Sequence, residues 1–217
     1  MLLFGVIYVV FSLFMPSPVE HYPIYLLLGI LLWNFFQEAT LIGMNTFISK
    51  RDLVTKIYFS RSTLIFASTL SSLITFLLNL VIFFLFLELN GIRPGPEALF
   101  FFFFLIETYM VATGVTFILA SLYIHFRDLR HIWEIMLQVG FWLTPIIYPL
   151  SVVPQEYHRY IFLIPLARII EYSRDIFIRH HIPNFHINGV LAAMALVIFF
   201  LGYGIFKTQE AKIAEKL

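Results

Sequence analysis

The chain has 217 residues, 60% of them hydrophobic and only 12% charged, with 26 Phe and a formal net charge of +1. A water-soluble domain of this length cannot hide that much apolar surface, so the composition excludes a soluble protein and points to an integral membrane protein; no nucleic-acid partner is expected. Period-two alternation is absent and several apolar runs exceed about 18 residues, which predicts a helical bundle and argues against a membrane barrel. The absence of Cys rules out disulfides and thiolate metal sites.

The first apolar run, residues 2–15, ends at Pro16-Ser-Pro18. It is shorter than the roughly 20 residues that cross a bilayer. It has no basic stretch before it and no small-residue cleavage site after it, so it reads as a first span (1–15) that has lost its start. The second span is predicted over 24–48. Asn34, Glu38, Asn45 and Ser49 follow helical spacing and share one of its faces. A carboxylate in a membrane helix costs a few kcal/mol, so Glu38 is expected to face the bundle interior or a watery path.

Residues 50–61 form a charged break in which Lys50, Arg51, Lys56 and Arg61 stand against Asp52. Leu53 with Ile57, and Val54 with Tyr58, pair at i, i+4, which predicts a short amphipathic helix. A third span follows over 64–87, with Ser68, Ser72, Thr75 and Asn79 down one side as interhelical contacts. After the turn at Asn90-Gly91 and Arg93-Pro-Gly-Pro96, a fourth span is predicted over 98–124. Its Ala112, Thr116 and Ala120 make a close-packing face. Its Glu107 is expected to be buried near the interface and hydrogen-bonded.

Residues 123–149 read YIHFRDLRHIWEIMLQVGFWLTPIIYP. The cluster with Arg127, Asp128 and Arg130 cannot sit in hydrocarbon, so it is a water-side loop. The fifth span, 132–150, carries Pro145 and must be bent or broken near its far end. Next, residues 154–178 are too polar to span and too apolar for a free loop. Pro154 and Pro165 divide them into two short helices of interfacial or re-entrant kind. In the second helix Leu166, Ile169, Ile170, Ile176 and Phe177 line one face, and Arg168, Glu171 and Asp175 another. His180, His181 and His186 lack a carboxylate at ligand spacing, so no metal site is expected. A sixth span over 189–206 and a charged, helix-prone tail over 207–217 complete the chain.

The Arg-Asp loop followed by an apolar helix ending Leu-Thr-Pro-Ile-Ile-Tyr-Pro resembles the fifth spanning helix of ABC-2 type permeases, especially those that export polysaccharides (O-antigen, teichoic acid or capsule). Pro165-Leu-Ala and Ile170-Glu171-Tyr-Ser-Arg174 resemble the hairpin at the external mouth of those permeases. Asn45, Lys50, Lys56, Tyr58-Phe59 and Arg61 stand where the family carries the helix that docks on its ATPase, with Ser60 in place of the usual Pro. The resemblance implies that 50–61, with the 127–130 loop, couples to a partner ATPase. It also implies that a piece precedes residue 1, since the family carries an interfacial helix and a fuller first span there.

Cations set the orientation. The break at 49–62, the loop at 125–131 and the tail from Lys207 hold nine of the fourteen Lys and Arg, whereas the short turns opposite hold only Arg93. The positive-inside rule then puts both termini in the cytoplasm. No G-x-x-x-x-G-K-[ST] occurs, so ATP and Mg are expected on a separate soluble P-loop ATPase, with no cofactor in this chain. No catalytic constellation stands out. Six helices cannot both pack a core and enclose a polymer, so a homodimer is expected, with lipid-linked polysaccharide passing along its interface in the bilayer. Aromatic faces suit sliding sugar rings, which makes Trp142, Tyr148, Tyr157, Tyr160 and Tyr172, with Glu38, candidates for the substrate path. An exporter of lipids or drugs, or a non-transporting scaffold or polyprenyl-linked sugar enzyme, is the alternative.

Overall fold

The fold comes from a computed structural model, which describes residues 21–50 and 60–216. The expected first span lies outside the described residues, as does most of the 50–61 segment. The described residues form seven α-helices: α1 (Tyr22–Ser49), α2 (Ser62–Leu89), α3 (Phe101–Tyr123), α4 (Leu129–Leu143), α5 (Gln155–Ile161), α6 (Pro165–Ile178) and α7 (Phe185–Lys216). A 3-10 turn over Pro96–Phe100 leads into α3, and a second over Leu150–Val152 precedes α5.

Among the described residues, four segments are long and apolar enough to cross a membrane: Tyr22–Ser49, Ser62–Leu89, Pro96–Tyr123 and Asn188–Glu210. Their burial differs with their role. In the most apolar window of α1, 67% of the residues are inside the chain, against 28% for α2 and 22% for α7. A helix buried over most of its surface is a bundle axis, and α1 fills that place, packed against α2, α3, α4 and α6. The outer faces of α2 and α7 present Leu78, Val81, Leu85, Phe200 and Leu201, each more than half exposed.

The expected fifth span differs from what the chain builds. The helix α4 is only 15 residues long, about 22 Å at 1.5 Å per residue, which falls short of a ~30 Å hydrocarbon core. It stops because Pro145 lacks an N–H and forces the residue before it out of the helical region. Thr144 accordingly sits at φ −82, ψ 135. At the other end of the chain, the expected division between a sixth span and a tail is no break. One helix, α7, runs from Phe185 to Lys216.

Lipid supplies no hydrophobic force between helices, so close backbone approach does much of the packing. Helices α3 and α7 cross at Gly114 and Gly202. A Cβ on Gly114 would stand 2.6 Å from the Ile198 carbonyl oxygen, and one on Gly202 would overlap the Gly114 carbonyl. The small-residue face of α3 is fully buried at Ala112, Thr116 and Ala120, and Thr116 Oγ1 reaches Ala39 O of α1 at 3.4 Å. Glu107 is buried as expected, but neither of its carboxyl oxygens has a hydrogen-bond partner among the described residues. The aromatic rings of Phe83, Phe84 and Phe101 surround Phe177 edge-on at 5.0–5.8 Å and seat α6 on α2 and α3.

The crossing makes a direct prediction. Gly202→Leu should overpack it at about 1–3 kcal/mol, lowering the unfolding midpoint by about 2–4 °C per kcal/mol. Gly204→Leu, with nothing within 4 Å of its Cβ position, should be neutral or stabilising by up to about 1 kcal/mol through helix propensity. Thermal unfolding of the detergent-purified protein compares the two, and equal midpoints would contradict the crossing.

Candidate functional site

Where α4 stops, its last carbonyls and those of the following segment lose their helical donors, a costly condition away from water. The chain replaces the donors of the carbonyls from Trp142 to Leu150. Tyr148 Oη donates to Trp142 O and Leu143 O, both at 3.1 Å. Thr144 O takes the Ile146 N–H at 2.6 Å. Arg174 of α6 supplies Pro145 O through Nη1 at 2.6 Å and Ile146 O through Nη2 at 2.8 Å. From α1, Tyr22 Oη donates to Ile147 O at 2.9 Å and Tyr25 Oη to Tyr148 O at 3.2 Å. Pro149 O and Leu150 O close the 3-10 turn with Val152 and Val153.

Arg174 is the centre of this arrangement and is 1% exposed. Its Nε also donates to Tyr25 O at 3.1 Å, and its guanidinium stacks 3.4 Å from the Tyr25 ring centroid. Carboxylate support comes from Glu171, 6% exposed, at 3.4 Å. Glu171 in turn meets Arg179 at 3.3 Å, and Arg179 pairs with Asp175. Burial pulls the Arg174 guanidinium below arginine's ordinary value, while Tyr25 and Glu171 pull it back. The Asp175 carboxyl is raised by burial against the opposing charge of Arg179. Glu171 was expected on a polar face of its helix; it lies inside because it is the counterion of a buried arginine. Room for the guanidinium comes from Gly29, whose Cβ would stand 2.5 Å from Arg174 Nη2. Beside the clamp lies a cavity of about 870 Å³, lined by Tyr25, the 3-10 turn after Pro149, α5 and α6.

A second cavity of about 440 Å³ opens between α1 and α2. Asn34, Gln37 and Glu38 face Ser72, Phe76 and Asn79 across it. Glu38 is half-buried there. Half of the hydroxyl stripe expected to pack α2 is buried, at Ser68 and Ser72; Thr75 is exposed.

The opposite end of the bundle gathers the cations. Phe47, Leu64, Phe117 and Phe206 pack together there, as do Met44, Leu119 and Tyr123 with Leu129 and Trp133. These clusters bring the C-terminus of α1, the start of α2, the 127–130 loop and the last turns of α7 to one side. Lys50 is exposed. Arg61 is not free: its backbone N–H donates to Glu210 Oε1 at 2.9 Å and its Nη1 to Glu210 O at 2.6 Å. Lys207 binds the other carboxylate oxygen of Glu210 at 2.6 Å. Arg130 pairs with Glu134 at 3.0 Å, whereas Arg127 and Asp128 are exposed. The remaining coupling candidates, Asp52, Leu53, Val54, Lys56, Ile57 and Tyr58, lie outside the described residues.

The five candidate aromatics do not form one lining. Trp142 is 60% exposed and Tyr148 caps α4 beside it. Tyr157 and Tyr160 are exposed on α5, where Arg159 holds the Tyr160 hydroxyl at 2.7 Å. Tyr172 packs inward between Phe104 and Phe162. His180 pairs with Glu97 across the bundle end, and the described residues hold no group of three metal-ligating side chains. Sequence reasoning passed over the long-range roles of Tyr22, Tyr25, Gly29 and Glu210. The signal open to it was the buried proline, which requires donors from somewhere.

Comparison with known proteins adds the following. The family described as "ABC-2 type transporter" matches residues 1–178. The "O-antigen export system permease protein RfbA" of Myxococcus xanthus is 27% identical over 209 residues, which cover 95% of this chain and 80% of that protein. The protein of the same description from Klebsiella pneumoniae is 26% identical over 218 residues, covering 100% of this chain and 84% of that one. The "Polysialic acid transport protein KpsM" of Escherichia coli is 27% identical over 85 residues, 39% of this chain and 33% of that protein.

The clamp can be tested by a substitution whose sign is otherwise opposite. Helix propensity alone would make Gly29→Ala stabilising by about 1 kcal/mol. Because the new methyl displaces the guanidinium, Gly29→Ala should destabilise the protein instead. Arg174→Leu should cost more, since two buried carbonyls lose their donors at about 1–3 kcal/mol each. Unfolding midpoints in detergent give the order wild type, Gly29→Ala, Arg174→Leu; a stabilised Gly29→Ala would contradict the clamp.

Proposed function

The chain belongs to the ABC-2 type transporter family, and from that premise we propose that it is the membrane subunit of an ATP-driven exporter that carries lipid-linked polysaccharide across the cytoplasmic membrane. The observation that carries this reading is similarity along nearly the whole chain to two proteins described as O-antigen export permeases. ATP and Mg are bound by a separate P-loop ATPase, and two copies of this chain work with two of the ATPase. The chain crosses the bilayer six times with both termini cytoplasmic, the fifth crossing made by α4 together with the clamped segment after Pro145, and α5 and α6 lie at the external face. The cation-rich end is then cytoplasmic, in keeping with the positive-inside rule.

In this reading residues 50–61 dock on the ATPase through Leu53, Val54, Ile57 and Tyr58. Lys50, Lys56 and the neighbouring Arg127, Asp128 and Arg130 form a polar rim that governs pairing more than affinity. Support for a mechanical connection comes from Glu210, which holds Arg61 by two hydrogen bonds. A push at 50–61 therefore reaches both α2 and the end of α7. The substrate passes Glu38 and the exposed aromatics, with Trp142, Tyr157 and Tyr160 offering faces on which sugar rings slide; Tyr148 and Tyr172 serve chiefly to hold that surface in place.

Two measurements test the proposal. Changing Leu53 and Ile57 together to Asp should release the ATPase from the purified complex while the permease still inserts and dimerises; retention of the ATPase with normal export would move the docking site elsewhere. Replacing Trp142, Tyr157 and Tyr160 by Leu should slow polymer export several-fold with basal ATP hydrolysis unchanged. A purified assembly that transports with this polypeptide alone would overturn the reading as a whole.

A further inference from the structure

The cavity beside Arg174 has the size of a small-ligand site and, at about 870 Å³, is nearly twice the volume of the one between α1 and α2. Two of the side chains that line it, Arg174 and Glu171, are more than nine-tenths buried. The charges around it cancel. Arg174 and Glu171 line it as a pair, and Arg179, also in the lining, pairs with Glu171 and with Asp175, which lies outside the lining. An incoming anion or cation would find no unmatched partner and would have to break an existing pair, which is expensive for buried ions. A neutral ligand would not.

Hydrogen-bonding capacity nevertheless remains open. Glu171 holds its two arginines at 3.3 and 3.4 Å, one per oxygen, and each carboxylate oxygen can accept two hydrogen bonds. Arg179 uses only Nη1 and is 55% exposed at its side chain. Ser151 and Gln155 line the same cavity, are exposed, and have no side-chain partner among the described residues. Leu150, Val153 and Ile178 line the same cavity and present aliphatic surface among these groups. Polar groups interleaved with aliphatic surface match a sugar ring, whose hydroxyls point outward and whose C–H face is apolar. We infer that this cavity is a binding subsite for one or a few neutral saccharide units, held by Glu171, Arg179, Gln155 and Ser151. The inference deepens the proposed function and rests on it for the source of the saccharide.

The test uses the complete complex with its ATPase in phosphatidylcholine nanodiscs. Saturation-transfer NMR is recorded with neutral trisaccharides of gluco, galacto and manno type, with tri-galacturonate, and with inorganic phosphate. At least one neutral trisaccharide should receive saturation from the protein, and tri-galacturonate and phosphate should receive little. Ser151→Trp, which fills the cavity from an exposed position, and Gln155→Ala, which removes a free amide, should each weaken that binding at least tenfold at an unchanged unfolding midpoint. Leu163→Ala, on an exposed residue that does not line the cavity, should leave it intact. Silence from all three neutral probes in a complex that exports its polymer overturns the subsite and leaves the transporter reading standing. So does binding that survives both cavity variants, and so does preference for the charged probes, including a phospholipid headgroup chemistry read through phosphate. Neutral-saccharide binding lost in the variants, in a chain that neither exports nor retains an ATPase, would keep the subsite and overturn the transporter reading.

Discussion

A single buried guanidinium holds together three parts of this chain that lie far apart in sequence. Arg174 reaches α1 at Tyr25 and the broken end of α4 at Pro145 and Ile146, while its own helix, α6, supplies the counterion Glu171. The reason it is needed is the proline. Pro145 ends α4, and the buried carbonyls of Pro145 and Ile146 that follow would be left without donors. A lysine could not do the same, because one ammonium cannot address three carbonyls from one plane. Burying the charge is costly, and the oriented carbonyl dipoles, the Tyr25 ring and Glu171 together offset that cost.

The rest of the architecture serves to keep that clamp aligned. The axis helix α1 carries both tyrosines and the glycine that makes room for Arg174, so its position sets the geometry of the site. Its own position is set by Trp33, Phe36 and Thr40 against α4: Trp133 Nε1 donates to Thr40 Oγ1 at 3.1 Å, and Trp33 meets Phe141 edge-on at 6.0 Å. On its other side it meets the small-residue face of α3, which in turn is locked to α7 through Gly114 and Gly202. Small residues at crossings and donors for the carbonyls from Trp142 to Leu150 answer the same constraint: in lipid, neither loose packing nor an unpaired backbone group can be corrected by water.

The two ends of the bundle are built differently, in keeping with different tasks. The cation-rich end exposes Lys50, Arg127 and Asp128 and ties Arg61 to Glu210, an arrangement open to a soluble partner yet joined to two long helices. The other end buries Arg174 and Glu171 as a pair and sets Ser151 and Gln155 beside them around a cavity. Rigid helices such as α1 and α7 run from one end to the other, so a displacement at the charged end has a continuous route to the helices beside the clamp.

Much of this was legible in the amino-acid order. Apolar runs and the charged breaks between them determined that the chain is a helical membrane protein, where its long helices lie, and which loops carry cations, because bilayer thickness and the cost of a charge in hydrocarbon act on local stretches. Pro145 alone announced the break in α4, and the Ala112, Thr116 and Ala120 spacing announced a packed face. Tertiary structure alone decided who answers the break: Arg174 lies 149 residues from Tyr25, and no periodicity links them. It also turned Glu171 inward, joined Arg61 to Glu210, and set Glu38 opposite Asn79 across a cavity. Local pattern records whether a side chain is tolerable in lipid; which partner makes a buried charge or a freed carbonyl tolerable is settled only when distant helices meet.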